Sequence, residues 1–286
     1  MNIKKTFAFL ILSCFILPQL AFAGAWTLPR NNIWLEYYMK GQWAKHDFGS
    51  NKDLHRKNND ARSWGWSMIP KFEYGVTDWF TVLGSIEYKE AKYKEYARNP
   101  AWGPYSVKNH GFTNVDLGGR VRFLEKPVVL SGQIKASCYT GYDEGKEGVA
   151  RQPELGDRND ALDLRLLVGK KFDTAIPFYF GAETGYRFKN RDVCNDIPFF
   201  VEGGFWPCDW LLIKSEIDGY WAHDITGKLE KEYAIWRIGP VFQLFGGDDI
   251  TRAGKSFDIG VQYGWTFWGR NTSADQELIL KVSSQF

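Results

Sequence analysis

From Asn32 onward, apolar and polar residues alternate. In residues 79–90, Phe80, Val82, Gly84, Ile86 and Tyr88 share one face, while Thr81, Ser85, Glu87 and Lys89 share the other with Leu83. A period of two is the mark of a pleated strand. The pattern recurs over 32–43, 63–74, 79–90, 112–123, 128–139, 161–172, 178–189, 196–206, 209–221, 232–244, 256–268 and 275–286. These twelve candidate strands run about 11 to 13 residues each. Strands of soluble proteins more often run about 5–6 residues, whereas a tilted strand crossing a bilayer needs about 9–11.

The connections decide which face points out. Long segments (44–62, 91–111, 140–160) alternate with short ones (75–78, 124–127, 173–177, 207–208), as outer loops and periplasmic turns do in membrane barrels. Segment 245–255 is long for a turn, and 190–195 and 269–274 are short for outer loops, which brackets the strand number between 10 and 14. The expected fold is all-β: a transmembrane, antiparallel up-and-down β-barrel of about twelve strands, with apolar residues toward lipid and polar ones toward the lumen. A secreted soluble β-protein is the fold-level rival.

The first residues add a compartment. Lys4 and Lys5 precede an apolar run, and Ala21-Phe22-Ala23 has the small-x-small form of a secretory cleavage site. Residues 1–23 are therefore expected to be a cleaved signal peptide and 24–286 one barrel domain. Pro18 and the Ala-x-Ala site argue against a retained anchor. Loss of Lys4 and Lys5 brings 36 Lys+Arg level with 34 Asp+Glu. A chain without basic surplus is not expected to bind nucleic acid. Cys138, Cys194 and Cys208 form no disulfide framework, and Cys194 and Cys208 fall at opposite ends of one strand, too far apart to bridge.

Aromatic residues make up 17% of the chain and gather at strand ends: Trp64, Trp79, Phe80, Phe123, Phe172, Phe178, Trp206, Trp210, Trp221, Trp268 and Phe286. Interfacial girdles occupy that position in membrane barrels. The last stretch, LILKVSSQF, resembles the terminal strand of Gram-negative outer-membrane barrels, and the whole region after residue 23 has the look of a porin-like channel of that class. The resemblance implies an outer-membrane location, contact with outer-membrane lipid and lipopolysaccharide, and recognition of the strand ending in Phe286 by the barrel-assembly machinery. Locally, KFEYGVTDWFTVLGSIEY (71–88) resembles a hairpin of the outer-membrane transporter family named for a meta-pathway of phenol degradation. That resemblance implies transport of a small-molecule solute.

The inward positions carry the candidate chemistry. The first three strands are balanced in charge, the next four are rich in bases (Arg120, Arg122, Lys135, Arg165, Arg187), and the last five lean acidic (Glu202, Glu216, Asp218, against Arg237). These nine residues are the candidate solute-binding positions. They predict a transverse field across a narrow channel for small polar solutes, anionic or zwitterionic, moving passively in or out. The alternative is a closed or gated barrel whose charges pair across the lumen, acting as a transporter of hydrophobic compounds or as a structural or binding protein. Inward glycines leave either an open path or seats for bulky neighbours.

Catalysis finds little support. An outer-membrane hydrolase needs a paired Ser and His. The four histidines, His46, His55, His110 and His223, fall at the outer rim, and the neighbours His46-Asp47 and His223-Asp224 point apart along a strand. No catalytic residue, metal ligand set or cofactor signature is expected. The second outer loop has Lys92, Lys94, Arg98 and Lys108 with Tyr93, Tyr96, Trp102 and Tyr105, a candidate contact for lipopolysaccharide phosphates or an anionic solute. The third gathers Asp143, Glu144, Glu147, Glu154, Asp157 and Asp160 without metal-ligand spacing.

Overall fold

The computed structural model describes residues 24–96, 105–142, 153–190, 193–224, 230–245 and 255–286. The expected signal peptide lies outside the described residues, as do Arg98, Trp102, Asp143, Glu144 and Glu147.

Twelve of the strands among the described residues close into one antiparallel barrel. They are β1 (Ile33–Ala44), β4 (Arg62–Thr77), β5 (Phe80–Glu95), β6 (Tyr105–Leu124), β7 (Val129–Tyr139), β8 (Ala161–Phe172), β9 (Phe178–Lys189), β10 (Asn195–Cys208), β11 (Leu211–His223), β12 (Glu232–Phe245), β13 (Ser256–Arg270) and β15 (Gln276–Gln285). Each neighbours the next in order, and β15 pairs with β1 to close the ring. Closure satisfies every strand edge, a condition for crossing lipid. The last residue is held too: Ile33 N–H donates to Phe286 O at 3.2 Å, and Phe286 N–H donates to Ile33 O at 2.9 Å.

The alternation resolves as expected. Leu278 and Leu280 are 50% and 41% exposed, while Ile279 between them is 3% exposed. An apolar surface wrapped around a polar interior suits lipid outside. Trp79, Phe123, Trp210 and Phe286 lie exposed at the turn end. Trp206 departs from the expected girdle: β10 presents its even-numbered residues inward, and Trp206 is buried against Tyr179, Leu212 and Val241.

Above the rim, β2 (His46–Phe48), β3 (Leu54–Arg56) and β14 (Thr272–Ser273) form a small sheet over the first loop. The second outer loop is shorter than expected, because β5 runs to Glu95 and β6 begins at Tyr105. These two strands also contain a bulge. Ile86 pairs with Val115 but Tyr88 with Phe112, so β6 holds one extra residue there. A bulge of this kind reverses which residues face out beyond it. Below it Val115 and Leu117 face lipid; above it Lys108, His110 and Phe112 do.

Candidate functional site

The lumen is occupied from below by residues 24–30. Asn31, in the left-handed region at φ 66°, turns the chain inward ahead of β1. The Gly-x-Thr-Asp turn between β4 and β5 receives it. Asn31 N–H donates to Gly75 O at 2.7 Å, Arg30 N–H to Asp78 Oδ1 at 2.9 Å and Thr27 Oγ1 to Asp78 O at 2.6 Å. A side chain at Gly75 would collide with the Pro29 carbonyl, so glycine is needed for this approach. Leu28 N–H then donates to Thr81 Oγ1 at 2.8 Å. Arg120 Nη1 donates to Trp26 O at 3.0 Å, and Ser131 Oγ donates to Ala25 O.

Trp26 is the anchor. Its ring lies over the bare backbone of Gly169 and packs with Ala25, Val129 and Leu167. Gly24 reaches the Glu183 carboxylate on β9. The segment thus crosses from the β4–β5 turn to the β7–β9 wall. Sequence reading had no hold on this segment, because it lacks strand periodicity; Trp26 and Leu28 ahead of the first strand were the available signal.

Charged residues above this plug pair locally. Arg165 donates to both oxygens of Asp163, at 2.9 and 2.8 Å, and lies 3.2 Å from Glu183. Arg187 shares Asp163 at 3.0 Å and reaches Asp196 at 3.5 Å. Lys189 continues the ladder to Asp196 at 2.7 Å and Asp157 at 3.2 Å. Lys231 binds Asp157 and Glu154, at 3.2 and 3.0 Å. Arg120 sits between Glu73, at 3.2 Å, and Gln133, at 3.0 Å. Lys135 binds Asp116 at 2.8 Å. Lys214 bridges Glu202 and Glu216 at 2.8 and 2.6 Å, and Arg237 pairs with Asp218 at 3.2 Å and with Glu277. Lys281 and Lys71 share Glu36, at 2.8 and 3.4 Å. Arg122 alone among the nine candidates leaves the mid-lumen, pairing with Glu125 at the turn, at 3.5 Å.

The transverse field expected from strand-by-strand charge is therefore largely cancelled. The reason is register. Pairing sets Asp163 opposite Arg187 and Lys135, and Glu216 opposite Arg237, at the close spacing of cross-strand neighbours. Unpaired charges in so confined a lumen would be costly. The inward glycines are seats: Gly181 lies against Glu202, Gly264 against Arg237 and Glu277, and Gly204 against Tyr179 and Leu212.

Packing narrows the path at mid-height. Asp163 is 1% exposed and Glu202 2% exposed. Beside the plug lies a cavity of about 230 Å³, touching Gly24, Glu36, Arg120, Glu183 and Lys214. Above it opens a vestibule of about 1020 Å³, with Lys40, Lys89, Tyr220, Tyr233 and Arg237 on its wall. The described part of the third loop folds into this vestibule: Lys89 donates to Leu155 O at 3.0 Å, Asn109 Nδ2 to Pro153 O at 3.2 Å, and Leu155 packs on Ala91 and Tyr142.

Burial works against ionisation of Asp157, but the ammonium groups of Lys189 and Lys231 outweigh it and hold its carboxyl below the ordinary carboxylate range. A depressed carboxylate contributes stability that is complete above its unfolded value, about 3.9, and is lost as pH falls through the lower folded value. Acidification from pH 7 to 5 should accordingly leave residues 153–160 docked, and release should begin only below about 3.9. Hydrogen exchange of that segment against pH measures this; release between pH 7 and 5 would contradict the pairing.

His46, His55 and His223 stay at the rim, but His110, expected there too, lies within β6 and is turned outward by the bulge, opposite Glu90. His55 lies 3.7 Å from Asp53, and His223 Nδ1 meets the Tyr186 hydroxyl at 3.2 Å. Cys138, Cys194 and Cys208 are free thiols.

No family model matches the sequence, and no curated protein matches it. Among solved structures the chain is similar to an outer membrane channel from Pseudomonas putida F1, at 13% identity and a TM-score of 0.67, covering 94% of this chain and 100% of that one. It is also similar to the translocator domain of the autotransporter NalP from Neisseria meningitidis, at 8% identity and a TM-score of 0.50, covering 91% and 90% of the two chains. These likenesses concern the fold: a closed antiparallel β-barrel built as in those two outer-membrane proteins.

Proposed function

We propose that this protein is a gated channel in the outer membrane of a Gram-negative bacterium, passing small polar solutes, with residues 24–30 as the gate. The observation that carries this reading is the N-terminal segment itself. It is held across a charge-lined lumen by hydrogen bonds to the wall, beneath a vestibule roomy enough for a small solute. A permanently filled structural barrel has no use for such a vestibule. Cleavage after Ala23 would place the ammonium of Gly24 against Glu183, strengthening the latch. Phe286, paired yet exposed at the turn end, is the natural handle for the assembly machinery.

Paired charges favour zwitterions over anions. An anion entering must displace a carboxylate already bound to its Arg or Lys, leaving that carboxylate unpaired. A solute carrying both charges replaces both partners of a pair at once. Planar-bilayer recording tests the reading. Wild-type protein should show brief, infrequent openings without strong preference for either sign of ion. Silence from the wild type and from a variant lacking residues 24–29 would refute the channel. Strong anion selectivity would return the solute class to anions.

A further inference from the structure

Arg62, Lys92, Lys94 and Lys108 converge on the outer face of the barrel near its loop end. Pairing sets Arg62 opposite Lys94 on adjacent strands, and Lys92 opposite Lys108. Lys108 joins this face only because the bulge in β6 turns it outward. Like charges directly opposite one another destabilise a sheet. Among the described residues none of the four forms an ion pair. The carboxylate sharing this face, Glu90, lies one row nearer the membrane, opposite Trp66 and His110. At outward positions of β8 and β9 stand Leu162, Leu164 and Phe188 instead.

Depth is marked by the rings around the cluster. Lys92 lies 5.2 Å from the Trp64 ring, and Arg62 and Lys94 lie 4.7 and 4.6 Å from the Tyr96 ring. Just below, Trp66, Tyr88 and Phe112 form a belt with centroids 5.6 and 5.3 Å apart. Aromatic belts sit at the boundary of the hydrocarbon region. Cations directly above such a belt lie at headgroup height, where an anionic surface adds to their binding.

We propose that the outward face of β4, β5 and β6 binds the phosphate-bearing headgroup of an outer-leaflet glycolipid, with Arg62, Lys92, Lys94 and Lys108 as its ligands. The proposal rests on the outer-membrane reading above. Arg62 supplies a planar fork for two phosphate oxygens, and the lysines supply point charges around it. The acyl chains would lie on the belt and on the apolar wall beneath it. Four cations that form no ion pair among the described residues are thereby neutralised at a depth where lipid phosphate is abundant.

The test is the lipopolysaccharide retained when the protein is extracted from outer membranes in mild detergent. Lys92→Gln with Lys108→Gln should reduce it about tenfold or more. Lys92→Arg with Lys108→Arg should retain it, as should Lys126→Gln with Lys170→Gln, which removes equal charge at the turn end. Should the double Gln variant not fold, judged by heat-modifiable gel mobility, Lys94→Gln alone carries the test with a smaller loss. Added back to stripped protein, intact lipopolysaccharide should bind and its enzymatically dephosphorylated form should not. Equal retention by the folded Gln variant, equal binding of the dephosphorylated lipid, or displacement by millimolar inorganic phosphate alone would each overturn the proposal. A barrel that conducts yet retains lipid regardless of these lysines sinks only this site; a chain found in the periplasm sinks the channel reading.

Discussion

Trp26→Ala should open the channel: longer and more frequent conductance steps from a barrel of unchanged heat-modifiable mobility. Trp26 is the largest buried group of the plug, seated on Gly169 among Ala25, Val129 and Leu167. Truncating a buried Trp to Ala typically costs about 3–5 kcal/mol. What would still hold the segment is the burial of Leu28 and several hydrogen bonds, from Leu28 to Thr81, from Arg120 to Trp26, from Ser131 to Ala25 and from Thr27 and Arg30 to Asp78. Each is worth about 0.5–1.5 kcal/mol net. The loss equals several of these bonds together, and the ratio of docked to released segment should fall by about two orders of magnitude or more. Gly169→Val should do the same from the opposite side, because a side chain there would occupy the space of the Trp26 ring. Valine suits a strand, so the barrel should tolerate it. Unchanged single-channel records in both variants would show that residues 24–30 do not gate.

The second large effect is expected at Asp163. It is 1% exposed and accepts hydrogen bonds from both Arg165 and Arg187. Asp163→Asn keeps the size and removes the charge, leaving two confined guanidinium groups short of a partner. Breaking a buried pair on one side costs about 3–5 kcal/mol. A marked fall in the urea midpoint of refolded protein should follow, with a reversal potential shifted toward anions. Combining Asp163→Asn with Arg187→Met should recover much of the loss, since the stranded charge goes too; the double-mutant cycle measures the coupling. A variant with wild-type midpoint and selectivity would show that the charge ladder from Arg165 to Lys231 does not act as a unit.

Sequence reading located the strands almost to the residue where hydrophobic alternation was uninterrupted: 161–172 and 178–189 were expected and are observed. It failed where alternation was broken or absent. The β6 bulge shifts the period by one residue, which hid the outward turn of Lys108. Trp206 read as a girdle residue because aromatic character at a strand end says nothing of parity, and the even face of β10 turned it inward. All nine candidate charges were named, but their pairing was not, because a strand's composition carries no information on its height relative to its neighbours.

The sequence alone determined that this chain alternates in long strands, which face meets lipid, and that the ring closes with β15 on β1. Those properties follow from a period of two and from the requirement that no strand edge remain in lipid. Only the tertiary structure decided that the charges cancel in local pairs, that the β4–β5 turn and Gly169 receive the segment before β1, and that four cations meet outside. These depend on stagger between strands and on contacts such as Leu28 to Thr81, more than fifty residues apart. No local period encodes them.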